Sequence, residues 1–333
     1  MKKLLLYTLS FFLLCAVSKA ERTLPAANNF LGMWTLDIEG GGVGWLEVHE
    51  QSGFLDANLL WIGGSVLPVG NVYLADENTL VVTRVYPLSR SGDRKQTMTF
   101  TMRLNRVGDH LVGNMIAPNR SGMGETVTAV VGTLLPEVPP TPDISTIEYG
   151  EPVELFNGKD LTGWELIDPT HSNGFKAVEG ELVNDPVQPA EGEHLHYGNL
   201  RTKAEFEDFT LTLEVNVPEG NNSGIYLKGM YEIQVYDSYG KDLDSHNMGA
   251  LYSRIVPSLA AEKPAGSWQS FDITLYKRHL TVVLNGRTII DNQPIYGPTG
   301  GAILSDVFAP GPIFLQGDHG KVAYRNLVLR PIL

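Results

Sequence analysis

Residues 221–240 read NNSGIYLKGMYEIQVYDSYG and carry the clearest structural pattern in the chain. The pattern predicts two extended segments joined at Gly229, because polar side chains recur at every second position on either side of it. Tyr226 and Lys228 are predicted to share a face of the first segment. The second segment places three polar side chains on one face: Glu232, Gln234 and Tyr236. Together these groups predict a polar, concave surface suited to holding a sugar.

The composition favours an all-β protein. The chain has 333 residues, enough for two domains of ordinary size. Its 43% hydrophobic and 19% charged content predicts a packed globular protein. Glycine (35 residues) and proline (20 residues) are frequent, and long helical periodicities are hard to find, which favours many short strands and turns.

An export signal is predicted for residues 1–20. Two lysines supply positive charge at its start, an apolar run covers residues 4–17, and Ser18 and Ala20 occupy the positions that a signal peptidase reads. Cleavage after Ala20 would send the protein to a bacterial periplasm or the cell exterior. A transmembrane anchor is the alternative, but the apolar run is short and no stop-transfer segment follows it.

The only cysteine, Cys15, lies inside this signal, so the exported protein is predicted to have neither disulfides nor thiolate chemistry. Lipidation of Cys15 is the minor alternative, because Leu14 is a poor match to the small residue of lipoprotein signals. Cleavage would remove three lysines and no acidic residue, changing the formal net charge from −13 to −16. This charge argues against nucleic acid or an anionic membrane as a partner and is compatible with a neutral ligand.

The first predicted unit covers residues 29–135. Alternating segments separated by turn signals at short spacing predict an antiparallel meander that closes into a small β-barrel. Gly32 and Trp34, near its first strand, resemble the start of lipocalin-type barrels.

A linker and a second β unit follow. Four prolines within residues 136–142 predict an extended, semi-rigid linker over residues 136–150. About a dozen strand-like runs in residues 151–333 predict a two-sheet jelly roll. Asn285-Gly286, between two alternating runs, is the strongest hairpin signal in the chain.

Six ordered motifs give the second unit a family resemblance. They are LFNGKDLTGW at 155–164, NSGIYL at 222–227, YEIQ at 231–234, GALY at 249–252, LQGDHG at 315–320 and YRN at 324–326. On these motifs, residues 151–333 resemble the 3-keto-disaccharide hydrolase domain family. The resemblance implies a concanavalin A-like jelly roll and an exported enzyme that acts on glycosides already oxidised at C3. It implies no role for the first unit.

The chemistry implied by this resemblance needs a base, a group that stabilises an enolate, and a proton for the leaving oxygen. Glu232 is the first candidate base, because an acidic residue within a strand is disfavoured unless its face is functional or solvated. His319 is the second acid/base candidate, since histidine titrates near neutral pH and Asp318 could orient it. The alternatives are a solvated strand face for Glu232 and an ordinary turn for His319.

Further polar residues near these two are candidate substrate-binding groups: Lys228, Gln234, Asp237, His246, Tyr252, Arg254 and Gln316. Solvated strand ends and loops are the alternative for the charged ones. His194 and His196 could chelate zinc from one strand face, but no third ligand stands nearby. No metal ligand is therefore assigned, and a divalent metal and the oligomeric state are left open.

Two other functions compete with a 3-keto-glycoside hydrolase. A jelly roll can serve as a non-catalytic carbohydrate-binding module. A conventional glycosidase would need two carboxylates about 5–9 Å apart across one cleft. Nucleophile-elbow, zinc-protease and phosphate-loop motifs are missing from the sequence. A dinucleotide-binding fingerprint is also missing, so the chain is not expected to perform the C3 oxidation itself.

Overall fold

A computed structural model of the protein describes residues 25–88, 96–190 and 192–333, so the predicted export signal lies outside the described residues. The described chain consists of strands and two short 3-10 helices, Pro25–Asn29 and Ile144–Thr146. The all-β prediction is therefore confirmed. Within these ranges no helix has both the length and the apolar character needed to cross a membrane.

Nine antiparallel strands form the first sheet. They are β1 (Gly32–Ile38), β2 (Gly42–Gln51), β3 (Phe54–Leu60), β4 (Leu67–Pro68), β5 (Asn71–Asp76), β6 (Thr79–Leu88), β7 (Gln96–Val107), β8 (His110–Pro118) and β9 (Glu125–Leu134). Their order across the sheet is β4-β3-β2-β1-β9-β8-β7-β6-β5. Trp34 is fully buried in the core of this unit, and its indole N–H donates to the Phe30 carbonyl at 3.0 Å.

The predicted closure of this sheet into a barrel is not confirmed. Among the described residues no ladder joins β4 to β5. β4 is two residues long and ends at Pro68, which has no N–H to give to a neighbouring strand. The chain crosses the gap at Val69 and Gly70, whose N–H groups donate to the carbonyls of Ala57 and Thr83.

The linker lies against the second unit. The guanidinium of Arg278 donates to the carbonyl of Pro136 at 2.9 Å, and the amide of Asn292 donates to the carbonyl of Pro142 at 2.9 Å. Because prolines leave carbonyls without matching N–H donors, side-chain donors from the second unit can bind the linker directly.

Thirteen strands form the second unit. They are β10 (Val153–Glu154), β11 (Trp164–Leu166), β12 (Phe175–Val178), β13 (Glu181–Asn184), β14 (Leu200–Thr202), β15 (Phe209–Asn216), β16 (Asn222–Leu227), β17 (Tyr231–Tyr236), β18 (Trp268–Tyr276), β19 (His279–Leu284), β20 (Arg287–Pro294), β21 (Phe314–Leu315) and β22 (Val322–Pro331).

These strands build two sheets that enclose one hydrophobic core. The larger sheet runs β12-β13-β22-β15-β18-β19-β20 with β10 beside β22, and the smaller runs β11-β14-β21-β16-β17. The arrangement is consistent with the predicted jelly roll. Asn285 and Gly286, with φ of 51° and 78°, form the predicted two-residue hairpin between β19 and β20.

The two sides of β16 and β17 have different surroundings, as the sequence pattern predicts. Ile225, Ile233 and Val235 pack into the core between the sheets. Tyr226 pairs with Glu232 across the hairpin, and both point to the opposite face. This outer face is where polar side chains collect.

Removing core volume between the sheets should destabilise the second unit. Ile273 of β18 is fully buried, so Ile273→Ala is expected to lower its free energy of unfolding by about 2–5 kcal/mol. Urea denaturation measures this. Val153→Ala, at a valine that is 38% exposed, serves as the control and should cost much less. Equal losses in the two variants would contradict the assignment of the core.

Candidate functional site

A cavity of about 340 Å³ lies over the outer face of β16 and β17. Its size falls at the small end of the range for small-molecule sites. Both units contribute to its lining, which is rich in polar groups: Gly63, Gly64, Asn199, Asn222, Tyr226, Glu232, Tyr252, Gly300, Gly301, Gln316, Asp318 and His319.

Glu232 is the buried acidic group of this cavity. It is 4% exposed, and its backbone N–H donates to the hydroxyl of Thr299 at 2.8 Å. The carboxyl group fits because Gly224 has no side chain: a Cβ there would stand 2.5 Å from Glu232 Oε1. Burial raises the pKa of Glu232 to about 8, against the opposing effects of the Tyr226 hydrogen bond and of His319. The group can therefore exchange a proton near neutral pH.

Tyr226 links this carboxyl group to the neighbouring turn. Its ring stacks on Phe314 with centroids 3.8 Å apart, and its hydroxyl oxygen lies 2.8 Å from both Glu232 Oε2 and the Gly300 carbonyl. One hydroxyl proton cannot serve both acceptors. When Glu232 is ionised, Tyr226 donates to it. When Glu232 is protonated, Glu232 donates to Tyr226 and Tyr226 donates to Gly300. The network thus accommodates both protonation states of Glu232.

His319 stands on the connection between β21 and β22. Its Nδ1 lies 2.6 Å from Asp318 Oδ1, and its side chain is 41% exposed. The hydrogen bond that His319 donates to the Asp318 carboxylate raises the pKa of His319, although partial burial works in the opposite direction. The charge of Glu232 also raises the pKa of His319. Glu232 and His319 therefore face one cavity and influence each other electrostatically.

The connection that carries His319 is held by side-chain amides. Asn184, fully buried, donates to the carbonyls of Gly317 and Gly320 at 3.0 Å each. Asn199 accepts the N–H of Gly317 through Oδ1 at 2.9 Å. These bonds fix the backbone on both sides of His319.

Amide groups supply the remaining polar lining. Asn222 accepts from Gln234 Nε2 through its Oδ1 at 3.1 Å, which leaves its NH₂ group free to donate into the cavity. Gln234 itself is 3% exposed and is not among the residues that line the cavity. Within the described ranges, the side-chain oxygens of Gln234 and Gln316 are buried and have no hydrogen-bond partner. Because Gln316 lines the cavity, its oxygen is suited to accepting from a sugar hydroxyl.

The structure places several predicted substrate-binding residues away from this lining. The predicted placement of Lys228 on the same strand face as Tyr226 is corrected. Its φ of 55° ends the alternation of the strand, and its Nζ donates to the Val307 carbonyl at 2.8 Å. It lines a separate cavity with Glu207 and Asp208. Asp237 accepts the Gly220 N–H at 2.9 Å beyond the end of β17 and does not line the cavity either.

Two more of these residues contact the first unit. His246 lies 2.9 Å from the hydroxyl of Ser65, and its other ring nitrogen contacts Asp244. Arg254 stacks on Trp45, with its guanidinium carbon 4.3 Å from the ring centroid. Neither lines the cavity, whereas Tyr252 and Gln316 do.

The described residues contain no group of three or more histidine, cysteine, aspartate or glutamate side chains that could hold a metal ion. The rings of His194 and His196 lie 5.8 Å apart in an edge-to-face arrangement. The same imidazole of His196 lies 6.1 Å from that of His171. The histidines thus contact one another as rings.

Several lining residues were not predicted as site residues. Asn222 and Tyr226 could have been found, because they alternate on the same strand face. Asn199 and the glycines of the two units are brought in by connections far apart in sequence, and no local signal marks them.

Comparisons with known proteins find a family match in the second unit. The family model described as the 3-keto-alpha-glucoside-1,2-lyase-like domain matches residues 151–330. No curated protein matches the sequence.

Solved structures similar to the chain include a candidate glycosyl hydrolase from Parabacteroides distasonis. It is 27% identical over 58% of this chain and 93% of that chain, with a TM-score of 0.44. A carbohydrate-binding module from Bacillus subtilis is 15% identical over 50% of this chain and 93% of that chain, with a TM-score of 0.31. LamA from Z. galactanivorans, solved with laminaritriose and laminaritetraose, is 12% identical over 56% and 98% respectively, with a TM-score of 0.33.

The Asp318–His319 contact makes a titration prediction. Because the hydrogen bond that His319 donates to the Asp318 carboxylate raises the pKa of His319, Asp318→Asn should move the His319 titration midpoint to lower pH. NMR of the imidazole resonances measures this midpoint. Asp56→Asn, beside His49 in the first sheet, is the control and should leave it unchanged. An unmoved midpoint in Asp318→Asn would contradict the assigned pair.

Proposed function

The chain belongs to the 3-keto-alpha-glucoside-1,2-lyase-like domain family through residues 151–330, and we propose that it cleaves 3-keto glycosides by elimination followed by hydration. The main support is one observation: a buried carboxyl group with a raised pKa, Glu232, shares a cavity with the carboxylate-bound imidazole of His319. The amide and hydroxyl groups around them suit a carbohydrate ligand.

Glu232 acts as the base of the first step. The C3 ketone makes the C2 proton acidic, and ionised Glu232 removes it, which leaves an enolate at the C3 oxygen. A carboxylate whose conjugate acid has a pKa of about 8 is a stronger base than an exposed one. Asn199 and Asn222 can stabilise the enolate, because each uses its side-chain oxygen elsewhere and keeps its NH₂ group as a donor.

His319 acts as the acid. As the enolate collapses, the C1–O bond breaks, a C1=C2 double bond forms, and protonated His319 gives its proton to the departing oxygen. The raised pKa of His319 favours this protonated form. Neutral His319 then takes a proton from water that adds to C1, and Glu232 returns its proton to C2. Both groups end in their starting states, and the net reaction is hydrolysis.

Two other functions remain as alternatives. The cavity contains two carboxyl groups, Glu232 and Asp318, so a conventional glycosidase acting on unoxidised sugar is kept as the second candidate. Paired assays with a glucoside and the matching 3-keto-glucoside separate the two mechanisms. A non-catalytic binding module would bind sugar without turning over either substrate. The secreted or periplasmic location predicted from residues 1–20 is part of this proposal.

Glu232→Gln should abolish the base. We expect release of the aglycone from a 3-keto-glucoside to fall about 10²–10⁴-fold, as is typical for loss of a general base. Initial-rate assays measure this, with Glu219→Gln, at an exposed glutamate nearby, as the matched control. Undiminished turnover in Glu232→Gln would refute the assignment.

The stability of Glu232→Gln shows whether lost activity comes from loss of the base or from loss of the fold. Burial raises the pKa of Glu232 in the folded state from its ordinary value of 4.5 to about 8. The folded state therefore binds more protons in this interval, and its stability falls as the pH rises. Glu232→Gln lacks this loss and should melt at a higher temperature than the wild type above pH 8.

Tyr226→Phe tests how Glu232 is tuned. The Tyr226 hydrogen bond lowers the pKa of Glu232, so its removal should raise that pKa further. Because the base works when ionised, the rising limb of the kcat/KM profile should move to higher pH. Tyr236→Phe is the control. Tyr236 ends β17 and its hydroxyl accepts from Lys241, so this change should leave the rising limb of the profile in place. A shift to lower pH would contradict the mechanism.

A further inference from the structure

The connection between β3 and β4, residues 61–66, extends from the first sheet to the cavity of the second unit. We call it the wall loop. Its Gly63 and Gly64 line the same cavity as His319, although the family match covers only residues 151–330. The first unit therefore takes part directly in the candidate site.

Three hydrogen bonds attach the wall loop to the second unit. The Ile62 carbonyl accepts the N–H of Gly301 at 2.8 Å. The Ser65 hydroxyl lies 2.9 Å from His246 Nε2, and the Val66 N–H donates to the Ser253 hydroxyl at 3.0 Å. These contacts are spread along the loop, so its backbone is fixed at both ends.

A tryptophan of β2 reinforces this attachment. Trp45 donates its indole N–H to the Tyr296 carbonyl at 3.0 Å, and Arg254 lies over its ring. The Nε of Arg254 donates to the Pro298 carbonyl at 2.7 Å. A Cβ at Gly297 would stand 2.4 Å from Trp45 Nε1. The first unit thus contacts the segment that leads into Thr299–Gly301.

The wall itself is a contact between two backbones. A Cβ at Gly300 would lie 2.3 Å from the Gly64 carbonyl oxygen and 2.7 Å from its nitrogen. Gly63 differs, because a Cβ there would meet nothing within 4 Å. A side chain added at Gly63 would therefore occupy open space at the cavity rather than disturb the fold.

We propose that the first unit supplies one wall of the substrate cavity and limits it to small 3-keto glycosides, with an aglycone of about one sugar ring. The 3-keto group of the substrate follows from the proposed function, on which this inference rests. The size limit follows from the position of the wall loop. An internal unit of a polysaccharide lying across β16 and β17 would meet the wall loop. The volume of about 340 Å³ leaves little room beyond a disaccharide.

Two variants of the full chain change the wall in opposite directions. The filling variant is Gly63→Leu, and the opening variant is Ser65→Ala combined with Ser253→Ala, which removes two attachments of the loop. The matched control is Ser121→Ala, at an exposed hydroxyl of the first unit. Each is assayed for kcat/KM on a methyl 3-keto-glucoside, a 3-keto disaccharide and a trisaccharide oxidised at its non-reducing end.

In the filling variant, kcat/KM should fall about 10-fold or more for the 3-keto disaccharide and less than about 3-fold for the methyl 3-keto-glucoside. In the opening variant, the ratio of kcat/KM for the trisaccharide to kcat/KM for the disaccharide should rise about 5-fold. If the opening variant fails to fold, the filling variant alone decides. Unchanged ratios between substrates in a folded variant overturn the inference.

A wild-type enzyme that turns over no 3-keto glycoside would refute the proposed function and leave the wall to a binding test. Calorimetric titration with glucose, maltose and maltotriose should then show affinity that stops rising beyond the disaccharide. The opening variant should gain affinity for maltotriose, and the filling variant should lose affinity for maltose. Absence of sugar binding, or equal affinities in all variants, overturns the inference.

Discussion

The burial of one carboxyl group against one phenol organises the candidate site. Glu232 is almost inaccessible to solvent, and within the described part of the chain its carboxyl group hydrogen-bonds to Tyr226 alone. Burial disfavours the ionised form, and the hydrogen bond from Tyr226 favours it. Because burial has the larger effect, the pKa rises into the range where a carboxyl group can both take up and return a proton. The glycines around this pair provide the space: Gly224 lies against the carboxyl group, and a Cβ at Gly301 would stand 2.6 Å from the Tyr226 hydroxyl.

The segment Thr299–Gly301 connects this pair to the first sheet. Thr299 accepts the Glu232 N–H, Gly300 accepts from Tyr226, and Gly301 donates to Ile62 of the wall loop. One three-residue turn therefore contacts the carboxyl-bearing strand, the phenol and the other unit. The two units consequently contact each other at the site as well as through the linker.

The sequence predicted the parts of this arrangement that depend on local periodicity. Alternation along residues 222–236 placed Glu232 and Gln234 on one face, and Asn285-Gly286 marked its hairpin correctly. The placement of Lys228 failed because its positive φ interrupts the alternation, a backbone feature that strand periodicity cannot reveal. His246 and Arg254 are near the site in sequence, but they contact Ser65 and Trp45, which are 181 and 209 residues away in the chain. Long-range contacts of this kind leave no local pattern. Closure of the first sheet was expected from strand spacing, yet it depends on how two-residue β4 meets β5.

The number of protons shared by Glu232 and Tyr226 also explains why the Gly300 carbonyl is part of the site. If Tyr226 had Glu232 as its only partner, protonation of the carboxyl group would leave the phenolic proton without an acceptor in a buried place, at a cost of about 1–3 kcal/mol. The Gly300 carbonyl removes this cost, because it takes the phenolic proton whenever Glu232 holds its own. The two protonation states then differ by one proton and one rotation of a hydroxyl group, with the heavy atoms in place. The proposed mechanism, which takes a proton in one step and returns it in a later one, depends on this property, since rearrangement of the surrounding strands would add to the barrier of each step.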